Sequence, residues 1–307
     1  MVPFSAGEPM NLSKLTTEQR NTSSALIDTL PAADIVKIIS DNDRGVADAV
    51  ASQLDRIAEI ASSAARSIEN GGRLIYMGAG TSGRLGVLDA AECRPTYGVP
   101  DGVVIGLIAG GMEAMFHAVE GAEDSLTLGP DDLRALNVNE NDTVVGIASS
   151  GRTPYVIGGL KYAKEAGCVT AAVSCVPDAA ISSLADIAVE AVTGPEVVTG
   201  STRMKAGTAQ KMILNMISTT AFILCGKTYG NLMVDVCPTN EKLVARAVRI
   251  ITTAAECDES TAKKLLDESG MHIKTALVMA LMGCSRDDAA KLLARHNGHI
   301  RPAVEKR

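Results

Sequence analysis

Short apolar runs and helical stretches alternate through the middle of the chain. Runs at 74–77, 103–108, 143–148 and 170–174 each end at a turn of small or polar residues and predict strands, with a weaker fifth strand at 187–192. Helices are predicted at 82–92, 113–118, 154–166, 179–184 and 205–224. Strands that alternate with helices form parallel sheets covered on both faces. The pattern therefore predicts an α/β protein with a mainly parallel five-stranded sheet between two helical layers.

The two ends of the chain differ from the middle. Residues 1–22 are polar and irregular, whereas 34–39 and 47–68 carry apolar residues at helical spacing. Beyond residue 240 the strand signals vanish, and helices are predicted at 241–255, 260–269, 273–282 and 285–295, with caps at Asp258, Ser260 and Ser285. We therefore divide the chain into an N-terminal extension at 1–45, a central domain at 46–239 and a C-terminal helical subdomain at 240–307.

Composition and charge narrow the choice of partners. The residues are 46% hydrophobic and only 3% aromatic, and the formal net charge is −7. These values argue against a nucleic-acid partner, because nucleic acids are bound by stacking and by clustered cations. No apolar stretch is long enough to cross a membrane, and the start lacks the apolar core of a signal peptide. Seven cysteines without a Cys-x-x-Cys pair indicate reduced thiols, so we expect a cytoplasmic protein.

Two loops rich in Gly, Ser and Thr follow predicted strands. Residues 78–83 have the sequence GAGTSG and follow the first strand, and residues 149–153 have the sequence SSGRT and follow the third. Ligands of parallel sheets bind outside the carboxyl ends of the strands. Glycines permit close backbone approach, and hydroxyls together with free N–H groups at the start of a helix bind a phosphate. The two loops therefore predict a site for a phosphorylated small molecule.

Other phosphate ligands fit this sequence less well. The glycines of 78–83 match Gly-x-Gly-x-x-Gly, but Asp101 precedes the second strand, whereas a dinucleotide fold places its ribose-binding acid at the end of that strand. A nucleoside triphosphate loop of the form Gly-x-x-x-x-Gly-Lys-Ser/Thr is absent. A third polar segment, 194–205, places Glu196, Arg203 and Lys205 before a long apolar helix, where a polar cluster is expected to face a cleft.

Two groups of carboxylates are candidates for acid–base chemistry. Asp89 and Glu92 lie three residues apart on the predicted helix after the first loop, and Glu120 and Glu123 repeat that spacing. A carboxylate in a cleft can act as a general acid or base, although a solvated surface is the ordinary place for a helical Glu. The histidines have no Cys or acidic residues clustered with them, so we expect no metal site.

Several long motifs resemble one known family. They are GRLIYMGAGTSGRLG at 72–86, AECRPTYG at 91–98, VEGAED at 119–124, GRTPYV at 151–156, TGSTRMKAGT at 199–208 and GNLMVD at 230–235, with weaker matches at 15–21 and 38–43. The chain resembles the N-acetylmuramic acid 6-phosphate etherases, which are built on the sugar isomerase (SIS) domain. The resemblance covers nearly the whole chain and implies an α/β/α SIS-type fold.

The resemblance implies a carbon–oxygen lyase of bacterial cell-wall (amino sugar) recycling. Such an enzyme converts N-acetylmuramic acid 6-phosphate to N-acetylglucosamine 6-phosphate and D-lactate by elimination followed by hydration, and it needs neither a metal nor an organic cofactor. It implies that Glu92 protonates the departing lactate and activates water, and that Glu123 contributes, with proton transfer at C2 as its expected role. Glu196 matches a base of SIS-domain isomerases. The expected substrate-binding residues are Thr81, Ser82, Ser150, Gly151, Arg152, Thr153, Glu196 and Ser201.

One position departs from the pattern of many SIS domains. Their phosphate loop reads Ser-x-Ser-Gly-x-Thr, whereas the first of these positions here is Ala148. Ser150 and Thr153 are then the matched hydroxyls, and Ser149 is the weaker candidate.

The spacing between Ser82 and Glu92 limits how one subunit can use both residues. Ten helical residues rise ~15 Å, which exceeds the distance between the phosphorus and the ether oxygen of one sugar phosphate. Either the helix breaks before Glu92, or Glu92 is donated by a second subunit, so we expect a homodimer. The loop at 150–153 is then the main phosphate seat.

Two other functions fit the same loops. An aldose–ketose isomerase would also remove a C2 proton but would release no lactate. A non-catalytic regulator similar to glucokinase regulatory protein would bind a sugar phosphate without turnover, although that protein carries two SIS domains and this chain has room for one.

Overall fold

Five parallel strands form the central sheet of the protein. The computed structural model describes residues 16–236, 238 and 240–305. The strand order is β2-β1-β3-β4-β5, and every pair of neighbours is parallel. The five predicted strands are confirmed, although the last ends at Glu190 rather than at residue 192. Their bounds are β1 Leu74–Gly78, β2 Val104–Ile108, β3 Thr143–Ile147, β4 Val169–Ser174 and β5 Ile187–Glu190.

Successive side chains of the strands point to opposite faces of the sheet and enter two separate cores. Leu74 and Tyr76 pack with one helical layer, whereas Ile75 and Met77 pack with the other. The predicted three-layer α/β/α arrangement is therefore confirmed. The first layer contains α2 Val46–Ala51, α3 Leu54–Glu69 and α7 Lys205–Leu224, with α4 Gly80–Tyr97 against α7 and β2; the second contains α5 Leu128–Ala135 and α6 Pro154–Glu165.

Four predicted helices differ from the observed elements. The long helix expected at 47–68 is divided at Ser52 and Gln53, and the helix expected at 34–39 extends over Ala32–Asp43 (α1). The segments 113–118 and 179–184 contain single 3-10 turns, Met112–Met115 and Ser182–Leu184. Both segments are too short to offset the cost of starting an α-helix.

A separate helical core follows the sheet domain. In the described part of the chain it contains five helices, and a short two-stranded hairpin packs on it through Leu232 and Met233. The caps expected at Asp258 and Ser285 are confirmed, whereas Ser260 lies inside a helix and is not a cap. The strands of the hairpin are β6 Thr228–Tyr229 and β7 Leu232–Met233. The five helices are α8 Glu241–Ala255, α9 Glu259–Glu268, α10 Ile273–Met282, α11 Arg286–Arg295 and α12 Ile300–Val304.

Some sequence predictions fall outside the residues that the structure describes. They concern the irregular stretch at 1–15, including the Leu15 end of the first resemblance motif, and the thiol of Cys237. The division of the chain at 45 and 239 stays a prediction. Within the described residues, no helix combines the length and the apolar character that a membrane span requires.

Candidate active site

The two glycine-containing loops emerge side by side from the carboxyl edge of the sheet. β1 and β3 are neighbours in register, with Gly78 opposite Ile147. A Cβ at Gly78 would lie 2.9 Å from the Gly83 nitrogen and 2.9 Å from the Ile147 oxygen, so a side chain cannot fit there. The first loop is therefore a tight turn that starts α4 close to the end of β3.

A buried glutamine of α7 joins the two loops. The Ser82 hydroxyl donates a hydrogen bond of 2.9 Å to Gln210 Oε1, and Gln210 Nε2 donates one of 3.0 Å to the Ser149 hydroxyl. Gln210 is completely buried. Gln210 was not among the residues expected from the sequence, although a polar residue on the buried stripe of α7, between Ala206 and Ile213, was a usable signal.

The second loop turns at Gly151, just before the start of α6. Gly151 has φ of +68°, and the Thr153 side chain makes no capping hydrogen bond to α6. Ser150 and Thr153 are half-buried, whereas Arg152 is exposed. The Tyr155 amide is already bonded to the Glu123 carbonyl at 3.0 Å. The first turn of α6 therefore offers fewer free N–H groups than the sequence suggested, and the loop itself has to supply more of the donors.

Glu123 contacts the start of α6 through its backbone and lines a cavity with the first loop. The bond from the Tyr155 amide holds the Glu123 backbone beside the start of α6. Glu123 and Glu120 also line a cavity of about 230 Å³ together with Gly80 of the first loop and Arg84 of α4. Arg84 fixes the opposite wall, because its guanidinium donates to the carbonyls of residues 114 and 115 at 2.8 and 3.0 Å.

Tyr155 anchors this corner of the site through its hydroxyl. The hydroxyl donates a hydrogen bond of 2.6 Å to Asp132 Oδ2 of α5. Burial and the Asp132 carboxylate raise the pKa of Tyr155, so the hydroxyl stays protonated and keeps its role as donor. The backbone that holds Glu123 is thereby fixed to two helices.

Glu92 lies in a different cleft. It is exposed and lines a cavity of about 330 Å³ with Asp89 of α4 and with Lys211 and Asn215 of α7. Of the two alternatives that the sequence left open, a break in the helix before Glu92 is wrong, because α4 runs without interruption from Gly80 to Tyr97 and its proline, Pro95, follows Glu92. The structure therefore does not bring Glu92 together with Glu123 within this subunit.

Asp89 is buried, unlike Glu92. One of its carboxylate oxygens accepts hydrogen bonds of 2.7 Å from Asn215 Nδ2 and 3.2 Å from the Ser218 hydroxyl. These bonds fasten α4 to α7 one turn before Glu92.

The third polar segment, residues 194–205, contacts the start of α7. Glu196 is completely buried, and its two carboxylate oxygens accept hydrogen bonds from the amides of Lys205 at 3.1 Å and Ala206 at 2.9 Å. The observed contacts of Glu196 are thus those of a helix cap. Ser201 is half-buried in the same segment. The Ser24 hydroxyl also donates to the Val197 carbonyl at 2.8 Å, so the N-terminal extension covers this segment.

Lys205 is a buried cation beside these residues. It is 6% exposed, and no carboxylate lies within 4 Å of its amine in the part of the chain that the structure describes. Thr81 of the first loop faces the same end of α7, since a Cβ at Gly207 would lie 3.3 Å from its methyl carbon. A buried ammonium that forms no ion pair with a carboxylate is suited to an anionic ligand.

The sheet and the two loops define a protein of the SIS-domain class. Residues 128–220 match the family model described as SIS domain, and residues 56–164 match the one described as glucokinase regulatory protein N-terminal SIS domain. A phosphoheptose isomerase from Francisella tularensis is a similar solved structure, with 16% identity, a TM-score of 0.49, and coverage of 63% of this chain and 100% of that chain.

Relatives at higher identity narrow the class to one family. The chain is 54% identical over 295 residues to the N-acetylmuramic acid 6-phosphate etherase of Photorhabdus laumondii, covering 96% of this chain and 98% of that protein. It is 54% identical over 296 residues to the etherase of the same name from Salmonella choleraesuis, covering 96% of this chain and 100% of that protein. The chain belongs to the N-acetylmuramic acid 6-phosphate etherase family. The resemblance found in the sequence is confirmed, and the family favours an etherase over an isomerase or a regulator.

Proposed function

We propose that this enzyme cleaves the lactyl ether of N-acetylmuramic acid 6-phosphate with water, giving N-acetylglucosamine 6-phosphate and D-lactate. The observation that carries the proposal is the position of Glu123. Its backbone is bonded to the start of α6 beside the Ser150–Thr153 loop, and it lines one cavity with Gly80 of the first loop. The backbone of an acidic residue is thus held next to a loop suited to a phosphate.

The phosphate binds, in this proposal, at the edge shared by the second loop and α7. Ser150, Arg152 and Thr153 supply hydroxyl and cationic donors, and the positive φ of Gly151 turns the backbone toward the ligand. Lys205 supplies a buried positive charge from the start of α7. Thr81, Ser82, Ser201 and Glu196 complete the substrate-binding set; Glu196 acts through its cap on α7.

The reaction begins with removal of a proton from the sugar. Opening of the sugar ring gives an aldehyde, which acidifies the hydrogen on C2. In our proposal Glu123 takes that proton, because it lines a cavity with Gly80 of the first loop and its backbone contacts the start of α6. The electron pair of the C2–H bond forms the C2–C3 double bond, and the C3–O bond breaks with its electrons going to the lactate oxygen.

Glu92 acts, in the proposal, at C3. It gives a proton to the departing lactate oxygen, and as a carboxylate it then takes a proton from the water that adds to C3. C2 regains a proton, and the overall reaction consumes one water. Because α4 is continuous and Glu92 lines a separate cleft, this Glu92 belongs to a second copy of the chain. The homodimer and the cytoplasmic location expected from the sequence are parts of the same proposal.

Release of D-lactate tests the proposed reaction. The purified chain is incubated with N-acetylmuramic acid 6-phosphate and, in parallel, with N-acetylmuramic acid that lacks the phosphate. We expect stoichiometric D-lactate and N-acetylglucosamine 6-phosphate from the phosphorylated sugar and a far lower rate without the phosphate. A ketose product without lactate would identify an isomerase, and binding without turnover would identify a regulator.

A further inference from the structure

Gln210 is the only side chain in the described part of the site that bonds to both loops. Its amide oxygen accepts from Ser82 at 2.9 Å, and its amide nitrogen donates to Ser149 at 3.0 Å. Gln210 has no exposed surface, and its two partners are 6% and 8% exposed. Buried hydrogen bonds of this kind have little competition from water.

The direction of these bonds gives the two serines different roles. Ser82 donates its hydroxyl proton to Gln210, whereas the Ser149 hydroxyl oxygen accepts a hydrogen bond from Gln210. A serine hydroxyl has one proton to donate, so Ser149 keeps its proton for another acceptor. Within residues 16–236, 238 and 240–305, that hydroxyl donates to no acceptor. A phosphate offers acceptor oxygens without requiring a donor in return.

We propose that Gln210 is a positioning residue that fixes the Ser149 hydroxyl as a donor to the phosphate of the bound sugar. The inference rests on the proposed function for the phosphate site, and it goes beyond it by adding Ser149 to the seat. It also reverses the order expected from the loop pattern, in which Ser150 and Thr153 are the matched hydroxyls and Ser149 is the weaker candidate. Gln210 acts through Ser149 and does not touch the sugar.

An amide at position 210 is required by this arrangement. A carboxylate there could accept from Ser82 but could not donate to Ser149. Ser149 would then turn its proton toward residue 210, and the phosphate would lose one donor. The Gln210→Glu substitution therefore keeps the side-chain length and the bond to Ser82 while it removes the proposed function of Ser149.

Calorimetric binding of N-acetylglucosamine 6-phosphate to the full chain tests the inference without requiring turnover. We expect Ser149→Ala and Gln210→Glu each to raise the Kd by about tenfold or more, which corresponds to loss of one hydrogen bond to a charged group. We expect the double variant to bind no more weakly than the weaker of the two single variants. Independent effects, such as charge repulsion from the new carboxylate, would instead multiply and would contradict the proposal.

A matched control lies at the other end of the same strand. The Ser67 hydroxyl and the Thr143 hydroxyl form a buried hydrogen bond of 2.8 Å at the amino end of β3. Ser67→Ala removes a comparable buried bond, so it should lower the Tm without changing the Kd. Circular dichroism and the Tm of each variant establish that the comparison is made between folded proteins.

Two results would overturn the inference. A larger loss of affinity in Ser82→Ala than in Ser149→Ala would show that Ser82 is the donor and that the amide has the opposite orientation. An altered Tm with an unchanged Kd in Gln210→Glu would show that Gln210 only supports the fold. Either result leaves lactate release by the unmodified chain intact, whereas loss of that activity would instead contradict the proposed function.

Discussion

The backbone carbonyl of Glu123 accepts a hydrogen bond of 3.0 Å from the amide of Tyr155. This bond joins the acidic segment after β2 to the first turn of α6, directly beside the loop proposed to bind phosphate. Tyr155 is itself held by Asp132 through a hydrogen bond of 2.6 Å. The Glu123 backbone is therefore held beside the start of α6, and its exposed side chain extends from this point.

Replacement of Glu123 by Gln should remove most of the activity and leave the fold intact. The amide keeps the size of the side chain but cannot take the C2 proton, so we expect kcat to fall at least ~100-fold, in line with loss of a general base. Lactate release measures the change. Glu113→Gln is the matched control, since Glu113 is exposed in the same segment and outside the cavity. Equal activity in both variants would remove Glu123 from the mechanism.

Mixing two inactive variants tests whether Glu92 acts across a subunit interface. In a mixed dimer of Glu92→Gln and Glu123→Gln, one site receives an intact Glu123 from one chain and an intact Glu92 from the other. We therefore expect lactate release to return after the two proteins are unfolded and refolded together. Each variant refolded alone is the control. A mixture as inactive as its components would show that both carboxylates act from the same chain.

Two glycines with similar backbone angles should respond differently to substitution by Ala. Gly80 has φ of +52° and open space around an added Cβ, whereas a Cβ at Gly151 would lie 2.4 Å from the Ala179 Cβ. The left-handed backbone alone costs ~1–2 kcal/mol for Ala. Gly151→Ala adds crowding of ~1–3 kcal/mol. Denaturant unfolding should therefore show the larger loss for Gly151→Ala, and this variant should also bind the sugar phosphate more weakly.

Equal losses of unfolding free energy in the two glycine variants would contradict the contact between Gly151 and Ala179. The same contact explains the expected loss of affinity. Residue 151 cannot move away from Ala179 without displacing Ser150 and Arg152 on either side of it.

The buried thiol of Cys175 predicts a loss of stability at high pH. Burial, with a further contribution from the Glu196 charge, raises the pKa of Cys175 from 9.0 to about 12. Between these values the unfolded chain loses a proton that the folded chain keeps. The contribution of the thiol to stability is therefore complete below pH 9 and is lost as the pH rises toward 12, at about 1.4 kcal/mol per pH unit.

Cys175→Ala should therefore reduce the loss of unfolding free energy above pH 9 by about 1.4 kcal/mol per pH unit. Urea unfolding of the variant and the unmodified chain, followed from pH 7 to 11, measures the difference in slope. Between pH 7 and 8 the two curves should run parallel, which serves as an internal control. Parallel curves up to pH 11 would show that Cys175 does not keep its proton in the folded state.

The sheet could be predicted because its strands are apolar runs bounded by small or polar turns. The helix α7 could also be predicted from the sequence, and its predicted and observed bounds coincide at Lys205–Leu224. α5 was missed because Gly129 and Pro130 interrupt its pattern. Gly129 is needed there, since a Cβ would lie 2.2 Å from the Tyr155 carbonyl of α6. That requirement comes from packing between two helices, which local sequence does not contain.

Part of the candidate site likewise depends on contacts that local sequence does not reveal. The loops and Glu123 could be selected from residue type and from the family motifs. The role of Gln210 depends on contacts with Ser82 and Ser149, which precede it by 128 and 61 positions in the sequence. Glu196 caps α7 through amides that follow it by nine and ten positions. Only the folded chain brings these groups together. The continuous course of α4 through Glu92 was likewise open in the sequence, because the rise of ~15 Å from Ser82 allowed either a helix break or a second subunit that donates Glu92.

Turnover of N-acetylmuramic acid 6-phosphate in water labelled with ¹⁸O and deuterium tests the central claim most directly. Elimination followed by hydration predicts ¹⁸O at C3 and deuterium at C2 of the N-acetylglucosamine 6-phosphate, while the lactate hydroxyl keeps its original oxygen. Label in the lactate hydroxyl and an unlabelled sugar would mean that water attacks the lactyl carbon, and would contradict the proposed roles of Glu92 and Glu123.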